Sequence, residues 1–206
     1  ITVCYNSAGT LADTLASVRE QLYPHIEHIV VDGASSDGSV EIIRTKGQRV
    51  ATFVSEPDQG IYDAMNKGLQ LATGDVVGFL NSDDVFAHDD VVSTIAQTML
   101  EPSIDACYGD LVYVSQDDTN KVVRYWKSRE YQPGLCAKGW MPAHPTFYAR
   151  RTVYQRHGGF DLSLKLQADF EMALRLLDIG GIRTAYLPEV LVRMRAGGAS
   201  NASLRN

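Results

Sequence analysis

Long apolar runs are missing from this 206-residue chain. No stretch approaches the ~18 residues that a membrane-spanning helix needs, and none has the build of a secretory leader. Cysteine is scarce: Cys4, Cys107 and Cys136 are odd in number and show no C-x-x-C spacing. That removes a disulfide framework and points to inert thiols in a reducing, cytoplasmic setting. Positive charge is also in deficit, with 19 Lys and Arg against 25 Asp and Glu and a net charge of −6. A nucleic-acid-binding face is therefore not expected, although the local cluster "YARR" could meet phosphates. Repeats and low-complexity tracts are absent. The chain opens at Ile1 inside a strand-like run and closes on "GGASNASLRN" with no stop signal, so both ends read as trimmed.

What is present is ordinary for a globular protein, with 45% hydrophobic and 21% charged residues. The length suits a single α/β domain over 1–206. "ITVCYN", "HIEHIVVD", "RVATFVSE" and "DVVGFL" read as strands. Helical patterns alternate with them: one from Thr10 with Leu11, Leu15, Val18 and Leu22 on one face, one capped by Asp37 or Ser39, "IYDAMNKGLQLAT" with Ile61, Met65 and Leu69 inward, and "HDDVVSTIAQTML". This alternation over 1–100 predicts a mostly parallel sheet flanked by helices, suited to binding a ligand. Residues 101–206 are mixed and more irregular. "IDACYGDLVYVS" and "KVVRYWKS" read as a hairpin, "REYQPGLCAKGWMPAHP" as a long shaped loop, and "ADFEMALRLLDIGG" as an amphipathic helix with Phe170, Ala173, Leu174 and Leu177 inward.

Carboxylates collect where that sheet would bind. In an open parallel sheet, ligands lie outside the carboxyl ends of the strands. Asp32 ends one strand, and Asp83 with Asp84 ends another. Acids gathered at such a rim invite a hard cation such as Mg²⁺ or Mn²⁺, which takes one or two carboxylates and completes its shell with phosphates. The plain alternative makes Asp83 and Asp84 turn or capping residues.

Four segments in register, "ITVCYN", "VVDGASSDGS", "EPDQGIYDAMNKGLQLATGD" and "FLNSDD", resemble the family-2 nucleotide-sugar glycosyltransferases of the GT-A fold, a Rossmann-like α/β architecture. The likeness is tight over residues 1–90 and looser through "GGFDLSLKLQADFEMALR". It implies a nucleotide-binding wall of Tyr5, Asn6, Asp32 and Asp58, followed by the helix opening at Gly60 and Ile61. Asn66 and Lys67 would reach the sugar diphosphate, Lys67 as a point charge. Asp83 matches the metal-ligating acid and Asp84 follows it. Asn81 stands where the family carries an acid, which lowers the charge offered to a metal. Asp169 matches the catalytic base and Glu171 a second acid nearby.

Each position has a plainer alternative. Tyr5 could be a packing residue, Lys67 a solvated one and Asp169 a helix cap. In the long loop, His144 could be a metal ligand, an acceptor contact or a loop histidine. Trp140 could stack on a sugar or fill the loop. The resemblance implies metal-assisted, inverting transfer of a sugar from a nucleotide diphosphate, expected to be UDP-linked, to a saccharide or lipid-linked hydroxyl. A lipid-linked acceptor would bring peripheral membrane association. Two rivals are a sugar-nucleotide pyrophosphorylase and a non-enzymatic Mg²⁺-binding phospho-acceptor module. The first loop, "YNSAGT", has one Gly and no Lys or Arg, which disfavours the first rival.

Overall fold

The computed structural model describes residues 1–197. Three short parallel strands form one sheet in the order β1 (Thr2–Cys4), β2 (His28–Asp32), β3 (Val50–Ser55). Every residue of β1 and β2 is buried, as expected for strands covered on both faces. Helices α1 (Leu11–Arg19), α2 (Ser39–Lys46) and α3 (Ile61–Leu71) connect and cover them. The Ile1 amino group donates to the Gly78 carbonyl at 2.9 Å, and Leu80 N donates to the Ile1 carbonyl at 2.9 Å. These two bonds join β1 to β4 (Val76–Gly78) and hence to a second sheet.

That second sheet is mixed, ordered β4, β8 (Tyr148–Arg150), β6 (Ala106–Val114), β9 (Thr184–Arg195), β5 (Val85–Phe86), with β7 (Val122–Trp126) on β6 as the expected hairpin. It takes strands from both sides of residue 100. Helices α4 (Val91–Met99), α5 (Arg151–His157) and α6 (Ala168–Ala173) follow, with short 3-10 turns at Cys136–Lys138 and His144–Thr146. Residues 184–195, to which the sequence pattern assigns no element, form the 12-residue strand β9, paired in parallel with β6. Pro188 explains the silence: it breaks the strand pattern and lies in the irregularity where the register jumps from Gly109↔Leu187 to Asp110↔Val190. No described helix is long and apolar enough to cross a membrane.

Three helix faces differ from expectation. α1 ends at Arg19, which leaves Leu22 66% exposed, its N–H bonded to the Asp89 carbonyl. α3 buries Ala64, Met65 and Gly68, while Ile61 stands exposed. After Ala173 the last helix widens into a π-helical segment, Leu174–Ile179. The wider turn buries Leu176 and Leu177 and leaves Leu174 partly covered, while ahead of it Ala168, Met172 and Ala173 are buried and Phe170 only partly so. It also directs Asp178 at the long loop, where the carboxylate accepts from Tyr131 Oη (2.7 Å), Ala137 N (3.0 Å) and Gly134 N (3.1 Å). The three cysteines are free and buried, and burial pushes the Cys107 thiol up to about 12.

The β6–β9 pairing depends on a missing side chain. A Cβ on Gly109 would lie 2.6 Å from Leu191 Cγ and 2.9 Å from the Glu189 carbonyl oxygen, and Leu191 is fully buried. Gly109→Ala should therefore lower stability by about 1–3 kcal/mol, the usual range for overpacking. Urea denaturation checks this, and an unchanged midpoint would show that β9 can yield.

Candidate active site

The rim at the carboxyl ends of β1, β2 and β3 is built from short polar side chains. Asp32 is fully buried and accepts from Ser35 N (3.0 Å), Ser35 Oγ, Ser55 Oγ (2.6 Å) and Cys4 Sγ (3.4 Å). Burial works to raise its pKa, but these bonds together outweigh it and hold the carboxyl below its ordinary value. Gly33 sits between two other rim residues: a Cβ there would lie 2.5 Å from Asp58 Oδ2 and 3.3 Å from the Tyr5 ring. Tyr5 is 66% exposed, so packing is not its role. Asp58 accepts from Gly60 N at 2.8 Å, which fixes the entry into α3, and Gly60 has φ 120°, a conformation that favours glycine. Among the described residues, the two non-glycines with positive φ, Asn6 (48°) and Ala34 (62°), both lie on this rim. Such strain gathers at functional sites.

The loop after β4 carries the paired acids, and the structure separates them. Asp84 is fully buried, with Oδ1 facing Arg195 N at 3.3 Å and Oδ2 facing Asn81 Nδ2 at 3.4 Å. Burial, reinforced by Asp83, raises its pKa well above the ordinary value. The expectation that both acids face a metal is corrected for Asp84, which is turned into the protein. Asp83 is partly exposed, and no other described residue donates a hydrogen bond to its carboxylate. Burial raises its pKa too, against the opposing pull of its own amide and Arg195. Asn81 Oδ1 is buried without a hydrogen-bond donor. Two hard oxygens thus lack protein partners, at a cost that a cation would remove. No cluster of three or more His, Cys, Asp or Glu suited to a metal occurs among the described residues. The described residues therefore make no closed cage, and a divalent cation seated here would draw further oxygen ligands from elsewhere.

Arg195, in a segment without a sequence signal, organises this loop. It is 6% exposed and donates to the Asp83 carbonyl (2.7 Å), the Gln116 carbonyl (3.1 Å) and Asp13 Oδ2 (2.5 Å). Thr10 and Thr14 of the first helix add bonds to the Ser82 and Asp84 carbonyls at 2.9 and 2.8 Å. Thr10, expected as a cap, spends its hydroxyl on this loop.

Asp169 lies one residue inside α6, after Gln167 at the cap position. Its Oδ1 accepts from Phe170 N at 2.9 Å and from Tyr62 Oη at 3.1 Å. His144 is buried beside it, stacked on Phe79 (5.4 Å) and edge-on to Phe160 (5.4 Å), with Nε2 unpartnered. Burial holds its imidazole neutral, against the pull of Asp169. Trp140 is half-buried against Tyr108 and Tyr131 and fills the long loop.

Three expected ligand contacts are otherwise engaged. Asn66 exchanges hydrogen bonds with the Phe160 backbone at 2.8 and 2.9 Å, fastening α3 to the 158–160 turn. Lys67 pairs with Glu56 at 2.8 Å and donates to the Pro57 carbonyl at 2.9 Å. Glu171 grips Arg175 at 2.7 and 2.9 Å, and Arg175 braces the Gly159 carbonyl at 2.7 Å. Arg150 closes the end of α4 through the Met99 and Glu101 carbonyls, at 2.9 and 3.0 Å.

The profile of the family described as "Glycosyl transferase family 2" matches residues 1–159. An uncharacterised glycosyltransferase of Mycobacterium tuberculosis is 34% identical over 179 residues, 85% of this chain and 66% of the relative. A PGL/p-HBAD biosynthesis glycosyltransferase of Mycobacterium bovis is 28% identical over 210 residues, 95% of this chain and 76% of the relative. This chain thus spans just under two thirds of the first relative's length. Among solved structures, Staphylococcus aureus TarS in complex with UDP superposes with a TM-score of 0.73 at 19% identity, over 99% of this chain and 62% of that one. The mannosyltransferase PcManGT of Pyrobaculum calidifontis, in complex with GDP-Man and Mn²⁺, gives 0.72 at 22%, over 98% and 58%. The architecture is that of the GT-A fold, and with its matching profile the chain belongs to glycosyltransferase family 2.

Proposed function

We propose that the protein transfers a sugar, with inversion, from a nucleotide diphosphate donor to the hydroxyl of a saccharide or lipid-linked saccharide. One observation carries the reading. The helix that opens at the Asp58–Gly60 end of the rim reaches Asp169 through Tyr62, across 107 residues of sequence. A donor wall and a candidate base therefore share one structural unit. The Mycobacterium bovis relative is named for PGL/p-HBAD biosynthesis; a lipid-linked acceptor would bring this protein to a membrane surface.

In this reading the base stacks on exposed Tyr5, while Asn6, Asp58, Gly60 and Ile61 line the ribose and diphosphate. Asp32 acts through the rim, since hydroxyl and amide donors occupy it; its contact with a uracil ring nitrogen needs those serines to yield. UDP is the favoured nucleotide on the resemblance, with the TarS complex in support. Bound at Asp83, Mg²⁺ or Mn²⁺ would neutralise charge on the leaving diphosphate. Asp169 takes the proton of the acceptor hydroxyl as its oxygen bonds to the anomeric carbon. The carbon–oxygen bond to the diphosphate breaks on the opposite face, and the leaving group departs with the electron pair. A single displacement needs no carboxylate nucleophile. Neutral His144, packed on Phe79 and Phe160, lines the buried side of Asp169.

The pyrophosphorylase rival asks the first loop to cradle a triphosphate with backbone amides. Here the amides of Asn6, Ser7 and Ala8 are each bonded at 2.8 Å, to Ser35 Oγ, Ser39 Oγ and Asp37 Oδ2. The phospho-acceptor rival leaves the Tyr62–Asp169 contact without a task.

Removing Asp83 takes away no core packing. Asp83→Ala should abolish metal-dependent UDP binding, measured by calorimetry with and without Mn²⁺, and leave the melting temperature unchanged or raised. Retained, still metal-dependent affinity would remove Asp83 from the metal site. Asp169→Asn keeps the side chain's shape and its bond from Phe170 N. Donor binding should persist while transfer falls by roughly 10² to 10⁴. A screen of UDP- and GDP-sugars against saccharide acceptors supplies the assay. Turnover within a few-fold of the parent would sink the base assignment.

A further inference from the structure

Tyr62 sits second in α3, in a stretch whose other polar side chains hold the chain to itself. Its ring stacks on Phe160 at 5.3 Å, and Phe160 is pinned by the reciprocal bonds from Asn66. The ring therefore has one seat, and its hydroxyl meets Asp169 Oδ1 at 3.1 Å. Phe170 N donates to the same oxygen at 2.9 Å. Oδ1 thus holds two donors, and no described residue donates to Oδ2.

We infer that Tyr62 is a positioning residue that sets which oxygen of Asp169 reacts: it locks Oδ1, and Oδ2 is left to receive the acceptor's proton. The inference rests on Asp169 being the base. The contact also ties the base to the helix that begins at the donor rim, so the base is aligned by the same element that lines the nucleotide.

The groups around Asp169 leave Tyr62 as the adjustable one. Burial, then Asp169 itself, raises the Tyr62 phenol, so it remains a proton donor throughout the working range. His144 faces Asp169 from the long loop and is held neutral by burial. Glu171 and Arg175, on the same helix, are paired with each other. A donor to a carboxylate favours its charged form, so removing the donor favours the protonated form and shifts activity to higher pH.

Tyr62→Phe keeps the stack on Phe160 and removes only the hydroxyl. Using the donor and acceptor pair from the screen, kcat should fall by up to roughly 10²-fold, the cost of a catalytic group held out of its reacting geometry. The donor KM and melting temperature should stay at parental values, and the acid limb of the pH–rate profile should move to higher pH. Placed on Asp169→Asn, Tyr62→Phe should cost nothing further. Parental kcat with an unmoved acid limb overturns the inference, as does a loss carried by donor KM or by stability. If Asp169→Asn itself turns over at the parental rate, the base assignment has failed, and the inference falls with it.

Discussion

Arg195 carries a positive charge into the interior, and the polar half of the site is arranged around it. A buried guanidinium is tolerated where its donors are met by fixed acceptors. Here they come from three places in the chain: Asp13 on α1, the Asp83 carbonyl after β4, and the Gln116 carbonyl past the end of β6. Asp84 beneath it receives the Arg195 amide. One side chain thereby fixes the loop carrying the paired acids against the last strand and the first helix. Truncating it would release the Asp83 carbonyl and leave the exposed Asp13 and Gln116 to water, so the loss falls on the position of this loop.

Four aspartates show how environment, more than residue type, assigns work. Asp32 is buried among hydroxyl donors and stays charged. Asp84 is equally buried with poorer donors, and its charged form is disfavoured. Asp110, 1% exposed, accepts from Tyr125 (2.5 Å), Tyr186 (2.7 Å) and Ser128 N (2.8 Å), and so holds β7 and β9 against β6. Asp83 alone of these is left facing outward without a partner residue. Its cost is the kind that a bound cation offsets.

The chain around Asp169 is organised by the irregular end of the last helix. π-Helical widening is common where a helix serves a site. Here it turns Arg175 toward the 157–159 carbonyls and Asp178 toward the 131–137 loop. The two anchor chain on either side of Asp169, so its surroundings are held while its own carboxylate keeps one oxygen unengaged.

Strand and helix alternation over residues 1–100 was legible because local periodicity reports burial directly, and the β6–β7 hairpin because its turn is polar. The rim position of Asp32 was legible because strand ends in a parallel sheet share an edge, whereas Asp83 lies in the loop beyond β4 of the second sheet. The sequence alone did not yield β9, since Pro188 and its register jump break the alternation that marks a strand. Nor could it tell Asp83 from Asp84, neighbours whose surroundings are set by Arg195, 111 residues beyond Asp84. Asn66 looked available because its partner, Phe160, lies far along the chain, and Lys67 because Glu56 meets it across the turn before its helix; the i,i+4 pairing of Glu171 with Arg175 was readable from helix spacing. Tyr62 gained a role only through Asp169, 107 residues away. Local pattern encodes which residues are buried; which polar groups meet depends on long-range closure of the chain, and hydrogen bonds, being directional and short, are decided there.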